Sequence, residues 1–314
     1  MNNRLNRQIL QCQDMASLVS GPSSPAAVES LRHIEDVDDP SVAEFKTLKD
    51  KIEIRKGKFI SEGPETIRLL LRNKLGIRPT KLLLKPASYE RLKVDISESC
   101  YRDDFEVLIM RAKLMAKLVG FKGCRGTLAC GLVPDNSFGV EDLFKNTLRE
   151  DMSQWRILAI DGCNNTANFG SMIRSASCFG IHAIVISKDC CDQFYRQTIR
   201  VSMGHVFNIP IVRVDDLSLV LEMLHQRHEV QSFAAVIDND ATLLHTLNAP
   251  LVRRYCIVLG NEDHGVSENV RVTPGIVRLR IGMAPNVDSL SINNATAILL
   301  FGLKEREAKP GKWD

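Results

Sequence analysis

The second half of the chain alternates short, apolar, β-branched runs with helix-period stretches. No other feature constrains the fold as strongly. The runs fall at Arg156–Ile160, Ala183–Ser187, Phe207–Val214, Phe233–Ile237, Tyr255–Leu259 and Ile276–Ile281, with helical segments such as Leu217–His228 between them. Continuously apolar strands joined by helices imply a mostly parallel sheet covered on both faces, an α/β fold. In such a sheet, ligands sit beyond the carboxyl ends of the strands. The segments that follow these runs are therefore where chemistry is expected.

The first of them is "IDGCNNTANFGSMIRSASCFG", Ile160–Gly180. It reads as the end of a strand, a loop over Asp161–Gly170 and a helix over Ser171–Phe179. Met172, Ile173, Ala176 and Phe179 would face the sheet, and Arg174 would fall on a small polar side with Ser171, Ser177 and Cys178. Asparagine tolerates left-handed turns and bonds its own backbone, so the asparagines serve either turn geometry or a ligand. Arg174 is likewise either a surface charge or a binding group. After Gly162 the loop offers only Gly170, and the chain has neither G-x-G-x-x-G here nor G-x-x-x-x-G-K-[ST]. A nucleotide pyrophosphate needs such glycines to approach the backbone. A ligand without phosphates, or an RNA strand, suits this loop better than a dinucleotide.

The second segment, "IVLGNEDHGVSENV" (Ile257–Val270), runs from an apolar strand into Gly260-Asn261-Glu262 and a turn at Gly265. Ser267 is placed to cap a short helix. A carboxylate at Glu262, just past a buried strand, needs a donor or a task, whereas His264 reads as incidental. The third segment, "RLRIGMAPNVDSLSINNATAILLFGLKER" (Arg278–Arg306), is a strand, a Gly/Pro/Asn loop and a long helix for which Asp288 and Ser289 are the expected caps.

The first half is a mixed segment. A helix is expected within Glu62–Gly76, with Pro64 early, strands at Thr80–Pro86, Glu106–Met110 and Arg125–Pro134, and a further helix after Met110. Residues 1–40 read as a flexible leader and Glu141–Gln154 as a linker or bridging helix. Net charge is only +3, yet residues 46–93 hold fourteen Lys/Arg against five acids. Such a block attracts polyanions or forms a solvated surface. Nine scattered cysteines, an odd number without C-x-x-C spacing, read as reduced thiols, and no metal is expected. No apolar run approaches a membrane span, and a cytoplasmic location is expected, with an organelle as the alternative because Arg4 and Arg7 precede any acid.

Taken together and in order, the three segments resemble the motifs of the SpoU/TrmH family of RNA ribose 2′-O-methyltransferases, in the SPOUT superfamily. Asp161, Gly162, Asn168, Gly170 and Arg174 match the first motif, Gly260, Asn261, Glu262 and Gly265 the second, and Ile281, Met283, Ser289 and Leu290 the third. Tyr195–Val212 resembles the intervening helix and strand, so the likeness spans about Arg156–Lys304. Lys56–Ile67 and Gly123–Gly131 more loosely resemble the ribosomal-protein-like domain that many members carry.

The resemblance implies a substrate-binding α/β domain over 41–150, a methyltransferase domain with a trefoil knot over 151–306 and a tail over 307–314. It implies S-adenosylmethionine as cofactor, RNA (ribosomal or transfer) as substrate and a homodimer. Arg174, Asn168, Glu262 and Ser289 would be the catalytic set. Leu259, Gly260, Ile281, Met283 and Leu290 would hold the cofactor. Two positions depart from the motif: Gly282 replaces a proline and Ser291 an asparagine. Asn293 lies two residues on, and positions two apart on a helix do not share a face, so whether Asn293 takes over is left open. A non-catalytic RNA-binding protein on the same fold is the alternative reading.

Overall fold

Among the described residues one hydrophobic core surrounds Trp155 and another surrounds Leu108. The computed structural model describes residues 31–46, 54, 56–119, 126–134, 139–149, 152, 154–247, 253–287 and 289–304. Residues 1–135 with 194–208 form one unit, and residues 136–193 with 209–314 the other.

The first unit contains β1 (Arg32–Ile34), α1 (Ala43–Lys46), β2 (Lys58–Glu62), α2 (Pro64–Arg72), β3 (Pro79–Leu84), α3 (Pro86–Ser97), β4 (Glu106–Met110), α4 (Ala112–Val119) and β5 (Thr127–Leu132). Its sheet runs β1-β4-β3-β5-β2, with β5 antiparallel to both neighbours and the other pairs parallel. Pro64 and Pro86 begin their helices in the first turn, where a missing N–H costs nothing. Of the stretch read as a leader, residues 1–30 lie outside the described residues. Arg32–Ile34 is instead an edge strand, because Ile34 is buried in one core with Leu108 and Met110.

The second unit opens with α5 (Val140–Asn146), β6 (Trp155–Ile160), α6 (Thr166–Cys178) and β7 (Ala183–Ser187). The chain then returns to the first unit through α7 (Arg196–Val201), where the Phe194 and Phe207 rings lie 5.2 and 5.5 Å from that of Phe59. Back in the second unit come β8 (Ile211–Val214), α8 (Leu217–His228), β9 (Gln231–Ala235), β10 (Thr242–Leu243), β11 (Arg254–Leu259), α9 (Glu268–Arg271), β12 (Ile276–Arg280) and α10 (Ile292–Lys304). The expected strand over Phe207–Val214 is shorter, because Phe207 closes a 3-10 turn and Pro210 precedes the first paired residue. The segment expected to bridge, Glu141–Gln154, contributes Leu143 and Leu148 to the core around Trp155.

The sheet is seven-stranded, order β10-β12-β9-β11-β6-β7-β8, and every pair is parallel, as the alternation requires. From β6 the chain first builds outward through β7 and β8, then crosses to the other side. The strand order therefore reverses between β6 and β11, both lined by largely buried side chains. This is the position where open α/β sheets leave a crevice at their carboxyl ends.

Ahead of β7, His182 is half-buried, and its Nδ1 accepts the Arg156 backbone N–H at 3.1 Å. Burial, and then the Arg156 guanidinium, lower its pKa from 6.5 to about 4. The unfolded chain binds this proton more readily, so the stabilising contribution is complete above about pH 6.5 and is lost as pH falls toward 4. Urea melts across that window should show stability declining with acid in the native protein and a flatter response in His182→Gln. Equal slopes would contradict the assignment.

Candidate active site

Asn165 sets the geometry of the first loop. Its Oδ1 accepts the N–H groups of Ala167 and Asn168 at 2.9 and 3.1 Å, which caps α6. The helix therefore starts at Thr166, five residues earlier than expected, and Asn168 and Gly170 lie in its first turns rather than in a loop. The Asn168 side chain is consequently held on a rigid element.

The loops after β6 and β11 are stitched together. Asp161 N–H donates to Leu259 O at 2.8 Å, and Asn261 Nδ2 donates to Gly162 O at 2.8 Å. Asp161 Oδ2 accepts the Ser267 N–H at 2.9 Å. Ser267 does occupy the cap position of α9, but its side chain makes no cap bond. Within the β11 loop, Asn261 and Gly265 exchange two backbone bonds of 2.9 Å, and Gly265 adopts a φ of +69°. Gly260 lies against this turn with no space for a side chain. A Cβ there would stand 2.0 Å from Gly265 C and 2.1 Å from Val266 N.

A third loop braces the pair. Gly162 N–H donates to Ser187 Oγ at 2.8 Å and Cys191 N–H to Cys163 O at 2.8 Å. Arg213 holds that loop by donating to the carbonyls of Ser187, Lys188, Cys190 and Cys191 at 2.7–3.2 Å.

A polar chain crosses this frame. Glu262 Oε1 accepts from Asn168 Nδ2 at 2.7 Å and from Cys163 Sγ at 3.5 Å. Asn168 Oδ1 accepts from Asn293 Nδ2 at 2.8 Å. Burial, and then the neighbouring Glu262 carboxylate, push the Cys163 thiol up, so it remains an S–H donor. Glu262 itself is exposed, so its partners rather than its burial fix its place.

Asn168 and Glu262, expected together, are in direct contact, and Leu259 and Gly260 form the strand end beside them. Arg174 is exposed and makes no hydrogen bond or ion pair among the described residues, and Ser289 is also exposed without a hydrogen bond there. Ile281, Met283 and Leu290 are half-buried in the loop after β12.

One expectation at the last helix is corrected. Asp288 lies outside the described residues, and Ser289 is not the cap: α10 begins at Ile292, and Ser291 Oγ accepts the Asn294 N–H at 3.4 Å. Asn293, whose part the motif leaves open, bonds Asn168. Ser291 precedes the first helical turn, so the rule that helical positions two apart do not share a face does not apply to this pair. Cys163 and Asn261 also stand outside the expected catalytic and cofactor sets. Only the position of Cys163 beside two motif residues signalled it.

Among the described residues no cluster of His, Cys, Asp or Glu could hold a metal ion. The donor set suits an organic ligand without phosphates: half-buried apolar side chains on one loop, strand-end backbone on another, and a buried acceptor, Asn293 Oδ1, with no donor among the described residues. An all-parallel sheet with loops converging at its switch point, joined by a carboxylate–amide chain, defines an α/β ligand-binding domain.

Comparison with known proteins finds a family match: residues 156–301, somewhat under half of the chain, match the SpoU rRNA Methylase family. An uncharacterized tRNA/rRNA methyltransferase of Mycobacterium tuberculosis is 27% identical over 281 residues, 86% of this chain and 91% of that protein. The 23S rRNA (guanosine-2′-O-)-methyltransferase RlmB of Escherichia coli is 30% identical over 145 residues, 46% of this chain and 58% of that protein. The fold is shared with an AdoMet-bound rRNA methyltransferase from Sinorhizobium meliloti, with a TM-score of 0.69 at 21% identity over 88% of this chain and 98% of that one.

Proposed function

We propose that this protein transfers a methyl group from S-adenosylmethionine to a ribose 2′-hydroxyl in structured RNA, ribosomal or transfer. The observation that carries the reading is the Glu262–Asn168–Asn293 chain, which links all three motifs in one hydrogen-bonded unit. Leu259, Gly260, Ile281, Met283 and Leu290 hold the cofactor. When bound, it supplies a methyl carbon activated by a positively charged sulfur.

The residues of the chain have two tasks, alignment of the 2′-oxygen and disposal of its proton. Arg174 orients the nucleotide through its phosphate. A guanidinium with a pKa above about 12 is a poor base, so the proton leaves along the phosphate side. Its exposure and lack of partners among the described residues leave its donors for RNA. Asn168 and Glu262 fix the loop against which the ribose rests, and Ser289 donates near the transfer site. Ser291 in place of the motif's asparagine favours the second reading, an RNA-binding protein without catalysis. Calorimetric titration with S-adenosylmethionine separates the two: saturable binding supports the enzyme, and none at millimolar concentration supports the scaffold.

The first unit is the RNA-binding domain. Arg91, Lys93, Arg111, Lys113 and Lys117 are exposed on it, as phosphate recognition requires. The trefoil knot is in keeping with the strand order, in which β11 lies between β9 and β6, and β12 between β10 and β9. Among the described residues no helix is long and apolar enough to cross a membrane. Among the described residues no cysteine forms a disulfide, in keeping with a reducing compartment such as the cytoplasm.

A homodimer through α6 and α10 completes the reading. Phe301 is 52% exposed and meets Phe179 edge-on at 6.3 Å, and Ile298 on the same helix is 39% exposed. Such side chains mark an association surface. Phe301→Asp is expected to convert a dimer into a monomer in sedimentation without unfolding it. A native monomer, or an unaltered dimer in the variant, would exclude this face.

A further inference from the structure

We infer that Asn293 is the positioning residue of the third motif, and that it presents its Oδ1 to a donor on the bound ligand. The relay starts at Glu262. An ionised carboxylate only accepts hydrogen bonds, so the Asn168 amide must turn its Nδ2 toward Glu262. That leaves Asn168 Oδ1 facing α10, which requires Nδ2 of Asn293 opposite it. The charge at Glu262 thus sets the orientation of two amides in succession, and the chain ends in an acceptor. That terminal atom, Asn293 Oδ1, is buried and has no donor among the described residues. A buried acceptor left unpaired is costly, and here it lies at the end of a chain that begins in the first two motifs.

The chemistry that satisfies it is an O–H or N–H donor. Under the methyl-transfer reading, on which this part rests, two sources offer one: a ribose hydroxyl of the RNA, or the ammonium or hydroxyl groups of the cofactor. The orientation of the relay itself does not depend on that reading. Ser291, at the position of the motif's asparagine, is occupied as the α10 cap and is not part of the relay.

The test reverses the polarity of the relay. In Asn293→Asp a carboxylate faces Asn168 Oδ1, and no rotation of Asn168 satisfies both this new carboxylate and that of Glu262. The variant should lose several degrees of thermal stability and about tenfold or more in methyl transfer. In the double variant Glu262→Gln/Asn293→Asp, Asn168 can rotate so that Nδ2 faces the aspartate and Oδ1 accepts from the glutamine amide introduced at position 262. Thermal stability should recover most of the loss, a gain that a merely structural asparagine would not give.

The smaller variant Asn293→Ala, melted and assayed alongside, removes the acceptor without adding charge. Weakened calorimetric binding of S-adenosylhomocysteine by it identifies the cofactor as donor. Unchanged binding with lower turnover on RNA identifies the ribose. If neither changes, or if the double variant melts no higher than Asn293→Asp, the inference is overturned. If the native protein methylates no RNA, the methyl-transfer reading fails, and the melting comparison still decides the relay.

Discussion

Arg174→Ala is expected to lower methyl transfer to RNA by at least about 100-fold while leaving S-adenosylmethionine affinity nearly unchanged. Arg174 lies in the third turn of α6, exposed, with no partner to release among the described residues and no place in the core. Removing it should therefore not disturb the fold, and the melting curve should overlay that of the native protein. The loss would lie in placement of the nucleotide, since misaligned reacting atoms forfeit much of the rate advantage of a bound pair. Arg174→Lys should recover only part of it, because an ammonium lacks the planar fork that grips phosphate. The measurement is single-turnover methylation at saturating cofactor, paired with calorimetry. Normal turnover by the alanine variant would remove Arg174 from the site.

Gly260→Ala is expected to disable the protein by a different route. A Cβ there would overlap the Gly265–Val266 backbone, at separations of 2.0–2.2 Å, and backbone cannot rotate aside as a side chain can. The turn must open, breaking the paired bonds between Asn261 and Gly265 and releasing Asn261 from Gly162. Overpacking of this kind costs about 3 kcal/mol, which lowers the melting temperature by roughly 6–12 °C for a domain of this size. Cofactor binding should fall with it. Gly282→Ala is the control, since a Cβ at Gly282 meets only ordinary side-chain contacts at 3.5–3.7 Å. A Gly260→Ala protein that melts and binds like the native one would contradict this account of the loop.

The sheet was legible because its signal is local. Buried parallel strands such as Ile157–Ile160 and Ile257–Leu259 need unbroken apolar runs, and the helices between them follow from connection length. Element starts were less legible, because they depend on single cap bonds. Asn165 and Ser291 cap their helices, but each stands among other residues able to cap, including Asn164 and Ser289. The contact between Asn168 and Glu262 joins residues 94 apart in the chain. Only the matched motifs, not spacing or periodicity, bring such residues together on paper. The part of Asn293 is not legible for a physical reason: the face rule applies within a helix, and Ser291 stands outside one. The return of residues 194–208 to the first unit had no signal at all, since an aromatic pair such as Phe194 and Phe207 does not specify which core it will enter.

The most direct test supplies methyl-labelled S-adenosylmethionine to the native protein with RNA from cells that lack it, then digests the product with alkali. Transfer to a ribose 2′-oxygen blocks cleavage at that nucleotide, so the account predicts label in alkali-resistant dinucleotides, and none with Arg174→Ala. Label confined to bases, or no label from a protein that binds the cofactor, would contradict it.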